Sequence, residues 1–65
     1  MVRELIVNLK DGDMRTRERA ARALGMIGPQ AREAAGALRE ALKDPEPAVR
    51  NVAKDALKKI EEENS

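Results

Sequence analysis

The sequence predicts an all-α fold, four antiparallel helices arranged as two helix–turn–helix units. Three observations predict it. The chain repeats itself at an offset of 33 residues: Leu9-Lys10-Asp11 recurs as Leu42-Lys43-Asp44 and Arg17 as Arg50, while Ala20, Ala23, Leu24 and Ile27 recur as Ala53, Ala56, Leu57 and Ile60. Upstream, Leu5 falls on Leu38. A period of this length marks stacked units, each too small to bury its apolar side alone. Between the turns, apolar residues recur three and four apart, the spacing of one helix face. No stretch alternates polar and apolar residues for long enough to make a strand.

Composition narrows the function classes. At 65 residues the chain is read as a single domain, residues 1–65. It has no Phe, Tyr or Trp, and eleven Ala stand beside six Leu, three Ile, four Val and three Met. A core without rings is filled by close approach of helices, which Ala permits. Charged residues make up 38% and nearly cancel at net +1, the signature of a solvated surface and not of a polyanion binder. Without Cys there is no disulfide framework and no thiolate metal site. No segment nears the roughly 20 apolar residues of a membrane span. Met1-Val2-Arg3 leads straight into amphipathic sequence, so no leader is read and the cytoplasm is the expected compartment.

The elements follow in order. A first helix is expected over 2–10, with Val2, Leu5, Ile6 and Leu9 on one face. Asp11-Gly12-Asp13 is turn chemistry, with Asp13 as the N-cap of a second helix over 14–27. Its buried stripe is Ala20, Ala23, Leu24 and Ile27, with Thr16 at its start. Gly25 inside that helix implies close backbone approach by a neighbour, since glycine otherwise costs up to about 1 kcal/mol there. Gly28-Pro29 ends one helix and starts the next. The third is expected over 29–43, with Ala31, Ala34, Ala35, Leu38, Ala41 and Leu42 inward and Gly36 again implying tight packing. Asp44-Pro45-Glu46-Pro47 turns the chain into a fourth helix over 47–61, whose stripe is Val49, Val52, Ala53, Ala56, Leu57 and Ile60. Asp55/Lys59, Lys58/Glu62 and Lys59/Glu63 are spaced for i, i+4 ion pairs, and the tail from Glu61 to Ser65 is expected to fray.

The pattern Leu-Lys-Asp-x4-Val-Arg-x2-Ala-x2-Ala-Leu, with Gly-x-Ile-Gly-Pro after the first copy, resembles HEAT repeats, above all the short bacterial and archaeal kind called PBS-lyase HEAT-like repeats. The resemblance covers essentially the whole chain. It implies paired antiparallel helices stacked as a minimal α-solenoid, and an inter-repeat polar ladder at the positions Asp11 with Arg17 and Asp44 with Arg50, bonded directly or across the repeat. Thr16 departs from the pattern where Val49 keeps it, Met14 stands where Pro47 stands, and Met26 takes a position that is usually charged. One complete helix pair, 14–43, is flanked by two half repeats, so the chain reads as an engineered or truncated piece of an array. Neither end carries an obvious cap.

Chemistry is excluded by what is missing. There is no His, Cys or Tyr, and the hydroxyls are Thr16 and Ser65 alone, so no nucleophile–base constellation can be assembled. Some relatives in the repeat family act on bilins, but nothing here forms a pocket of that size. Asp11-Gly12-Asp13 resembles the opening of a calcium loop, yet Arg15, Arg17 and Arg22 occupy its later ligand positions. No catalytic residue, cofactor, metal or small-molecule ligand is therefore expected. Two binding readings remain. In the first, a non-catalytic scaffold module self-associates as a homodimer or binds a protein partner through Met1, Val2, Ile6, Val7, Met14 and Met26. In the alternative, Arg15, Arg19 and Arg22 form an outward stripe for nucleic acid, against which the small net charge and the lack of stacking aromatics weigh.

Overall fold

In the computed structural model, which describes residues 1–61, the chain forms α1 (Val2–Asn8), α2 (Met14–Ile27), a 3₁₀ segment (Gly28–Ala34), α3 (Ala35–Ala41) and α4 (Pro47–Glu61). There is no strand among the described residues. The 33-residue repeat brings α2 and α4 side by side. A Cβ on Gly25 would lie 3.1 Å from both Cα and Cβ of Ala56, so the two helices meet there almost backbone to backbone. The 3₁₀ segment and α3 pack against α4, and α1 lies against α2 and the 3₁₀ segment.

Small residues set the spacing of this core. Among the described residues its buried members are Leu9, Leu24, Leu38, Val49, Leu57 and Ile60 together with eight alanines. Alanine side chains lose almost no rotamer freedom on burial and let helix axes approach. Asp13 caps α2, its side chain accepting the Arg15 N–H at 3.0 Å. Gly28 ends α2 at φ 78°, ψ −145°, a backbone state that residues with a Cβ rarely adopt.

The structure corrects the sequence reading in several places. The third helix does not run unbroken over 29–43. Pro29 supplies no N–H, and Ala31 sits at φ −94°, ψ 22°, which breaks the segment into 3₁₀ turns before α3 begins. This bend directs Ala31, Ala34, Ala35, Leu38 and Ala41 inward and turns Gly36 outward, with no atom within 4 Å of a Cβ placed there. Gly36 is thus no packing glycine. Leu42, expected inside, follows the last residue of α3 and is 37% exposed. The first helix closes at Asn8, two residues early, through i→i−3 bonds from Lys10 to Val7 and Asp11 to Asn8, and the end of α3 tightens in the same way. In α2, Ala21 and Gly25 are buried where the stripe omitted Ala21, while Ala23 and Ile27 are only half-buried. Met14, read as lying outside the core, packs against it. Glu62 and Glu63, and with them two of the expected ion pairs and the tail beyond Glu61, lie outside the described residues.

Candidate protein-interaction site

The two turns are joined by one arginine. Arg17 donates from Nε to Asp44 Oδ2 at 2.8 Å and from Nη2 to Asp44 Oδ1 at 3.2 Å. Its Nη1 donates to the carbonyls of Asp11 and Gly12 at 2.7 and 3.0 Å. Asp44 Oδ1 also accepts the Glu46 N–H at 2.9 Å, and Arg50 donates to the Asp44 carbonyl at 2.7 Å. Each arginine therefore closes its own turn, and Arg17 in addition reaches the carboxylate of the next turn. The pair is nearly dry, with side chains 13% and 8% exposed. Burial pushes the Asp44 carboxyl upward, but the Glu46 N–H, the Arg17 guanidinium and the Arg50 charge together outweigh it and hold Asp44 below the ordinary aspartate value.

Asp11 repeats only part of this arrangement. Its Oδ1 accepts the Asp13 N–H at 2.9 Å, as Asp44 accepts that of Glu46. No guanidinium reaches its carboxylate among the described residues, and Asp11 is exposed.

The same comparison exposes a face on α2. Ala56 of α4 is buried against Gly25 of α2 and Ile60 is fully buried, whereas their counterparts Ala23 and Ile27 are half-buried. With Met1, Leu5 and Met26 they line a shallow groove of about 360 Å³. Met1 and Met26, on its rim, are 86% and 79% exposed. Every residue lining it is apolar.

The opposite side of the stack differs. The residues by which α2 seats α4 are Arg17, Ala21 and Gly25, and on α4 the same positions hold Arg50, Lys54 and Lys58. Lys54 and Lys58 are exposed. The sequence reading left both ends uncapped; the outward face of α4 carries charge where α2 carries small residues, which is how a repeat stack is closed.

Residues 2–65 match the family model for HEAT repeats. The chain belongs to the HEAT-repeat family. No curated protein and no solved structure gives a significant match. HEAT repeats generally mediate protein interaction or scaffolding.

Within this HEAT-repeat chain the expected interface residues do not form one patch. Met1 and Met26 meet at the groove, Val2 and Ile6 are half-buried against the core, Met14 packs inward, and Val7 is exposed away from the groove lining. Leu5, Ala23 and Ile27 complete the groove and were read only as core. Their repeat partners Leu38, Ala56 and Ile60 look identical in sequence, so burial depends on which side has a neighbour. Arg15, Arg19 and Arg22 are all exposed, but Arg22 donates to Glu18 at 3.0 Å. A second groove, about 450 Å³, runs between α2 and α4 past Arg22, Asn51, Asp55 and Lys59. It holds no nucleophile. Among the described residues no group of three or more carboxylates is placed to hold a metal ion, and no helix is long and apolar enough to cross a membrane.

Proposed function

We propose that the chain is a non-catalytic binding and scaffold module, a single minimal α-solenoid, that engages protein through the open face of α1 and α2. The observation that carries this reading is the contrast between Ala23 and Ile27, half-exposed, and their buried repeat partners Ala56 and Ile60. A position built to be covered is left open on one side. The groove's apolar lining suits a helix or a second copy of the chain, and homodimers closed by a two-fold axis are the commonest outcome for such a face. Val2 and Ile6 on α1 are half-buried against the core beside the groove and do not line it. The nucleic-acid alternative has less support, because Glu18 neutralises Arg22 and only Arg15 and Arg19 remain for phosphates.

Sedimentation over micromolar to millimolar concentration tests the reading. The wild-type chain shifts from monomer to dimer, while Ala23→Glu stays monomeric, since a carboxylate in the groove would be desolvated without a partner. Ala23 borders open space, so the variant keeps the wild-type helical circular dichroism. A wild-type chain that is monomeric throughout, and an Ala23→Glu variant that captures and elutes with the same proteins as wild type, would refute protein binding through this face.

A further inference from the structure

Met26 stands between two grooves of opposite character. On one side it lines the open apolar groove with Met1, Leu5, Ala23 and Ile27. On the other it lines the groove between α2 and α4, whose walls carry Arg22, Asn51, Asp55 and Lys59. Met26 is 79% exposed, so its side chain can turn either way. The three methionines of the chain are not alike: Met1 is also exposed, whereas Met14 packs against the core. In the second copy of the repeat the position of Met26 holds Lys59, a polar residue. Met26 is the apolar member of that pair, and oxidation turns this flexible apolar side chain polar.

We infer that Met26 is a redox site that disables the open face: a peroxide oxidises its thioether to the sulfoxide, and the side chain then turns from the apolar groove to the polar one. The inference rests on the protein-binding reading above and adds its regulation. In the step the peroxide O–O bond breaks and one oxygen forms the S–O bond. The other oxygen keeps its hydrogen, takes the second proton and leaves as water. The sulfur loses two electrons and the peroxide gains them. Methionine sulfoxide reductases reverse the change, with two thiols that become a disulfide while the oxygen leaves as water. The reduced thioether suits the apolar lining and adapts to what packs there. A sulfoxide oxygen is a hydrogen-bond acceptor, and burial against Leu5, Ala23 and Ile27 would leave it without a donor. The other groove supplies donors. Arg22 lies one turn before Met26 on α2 and gives Nη2 to Glu18, and Lys59 meets Asp55 at 3.4 Å; each keeps further N–H groups. Met26 is not part of the core cluster, so its oxidation alters the face and leaves the fold intact.

The test combines limited hydrogen peroxide treatment of the full chain with sedimentation. Peptide mass spectrometry finds oxidation at Met1 and Met26 well ahead of Met14. The oxidised chain keeps its helical circular dichroism and dimerises about tenfold more weakly, and a methionine sulfoxide reductase restores the reduced value. Met26→Leu dimerises like wild type and loses most of the response to peroxide, whereas Met14→Leu responds in full. Met26→Gln, polar without any oxidant, dimerises weakly from the start. Methyl NMR of the monomer follows the side chain itself: on oxidation the Met26 methyl exchanges its nuclear Overhauser contacts with Leu5 and Ile27 for contacts with Val52. A reduced chain that stays monomeric refutes self-association through the open face, and the inference falls with it. A reduced chain that dimerises, and dimerises equally well once oxidised, overturns the inference alone. So does a peroxide response that survives in full in Met26→Leu, or an oxidised Met26 methyl that stays against Leu5 and Ile27.

Discussion

Asp44 joins three parts of the molecule: the α2 guanidinium of Arg17, the N–H of Glu46 at the start of α4, and through its carbonyl the side chain of Arg50. Removing its carboxylate leaves the Arg17 guanidinium, 13% exposed, without a counter-charge. Asp44→Ala therefore costs about 3 kcal/mol, at the low end for breaking a buried pair by one partner, and is read as a lowered urea midpoint. The pH dependence has a defined sign. The ordinary aspartate value is 3.8, and the folded value is below it. The unfolded chain therefore takes up a proton here before the folded chain does, so this contribution is complete above about pH 4 and is lost as pH falls through the folded value. Asp44→Asn shows a shallower loss of stability than wild type below pH 4; equal slopes would show that the carboxylate's charge is not what Arg17 stabilises. The sequence made Asp11, Arg17, Asp44 and Arg50 visible as matched pairs. The family resemblance implied a ladder between repeats, but the residues alone left open whether each arginine bonds within its copy or, as Arg17 does to Asp44, across to the next, because the two look the same in one dimension.

At the scale of the element, the two interior glycines had the same appearance in sequence and have opposite roles. Gly25 is held against Ala56, whereas Gly36 faces open space on the outer side of α3. Gly36→Ala should raise stability by about 0.5–1 kcal/mol, since it gains helix propensity and meets nothing. Gly25→Leu should lower it by about 1–3 kcal/mol, because overpacking pushes α2 from α4. Thermal denaturation of the two single variants checks both, and a destabilising Gly36→Ala would mean the bend at Ala31 is misplaced. That bend is the main feature the periodicity missed. Apolar spacing over 29–43 is compatible with one helix, and only the φ and ψ of Ala31 after Gly28-Pro29 show the chain re-aimed. By contrast α4 was largely legible, since its stripe is long and its start is fixed by Pro47; Val49, Ala53, Ala56, Leu57 and Ile60 are buried, and Val52 of the expected stripe is half-buried.

At the scale of the whole molecule, the two faces of the stack are unlike, and the difference lies in pairs of residues 33 apart. Sequence alone shows that Lys54 replaces Ala21 and Lys58 replaces Gly25, but it shows this matters only once Ala21 and Gly25 are known to be the seat of α4. The open face carries Ala23, Ile27, Leu5, Met1 and Met26, while the outward face of α4 carries Lys54, Lys58 and Asp55. Head-to-tail addition would press Lys58, at the position of Gly25, onto Ala23, at the position of Ala56, stripping water from its ammonium group and from that of Lys54 one turn away. In the proposed dimer, joining open face to open face avoids that cost and uses up both apolar surfaces, which would end assembly at two copies. Arg50, at the position of Arg17, is already placed to meet Asp11 of a following copy if the lysines are removed. On that proposal the double variant Lys54→Ala/Lys58→Ala should form a growing stack where the wild type stops at two copies, with a weight-average mass that climbs past two copies as concentration rises. Adding Asp11→Asn to the double variant should reverse most of that growth, while Asp11→Asn alone should leave the mass of the wild-type chain unchanged. Light scattering across the same concentrations decides it: a wild-type chain that grows beyond two, or a lysine-free variant that stops there, would show that charge on α4 does not set the end of the stack.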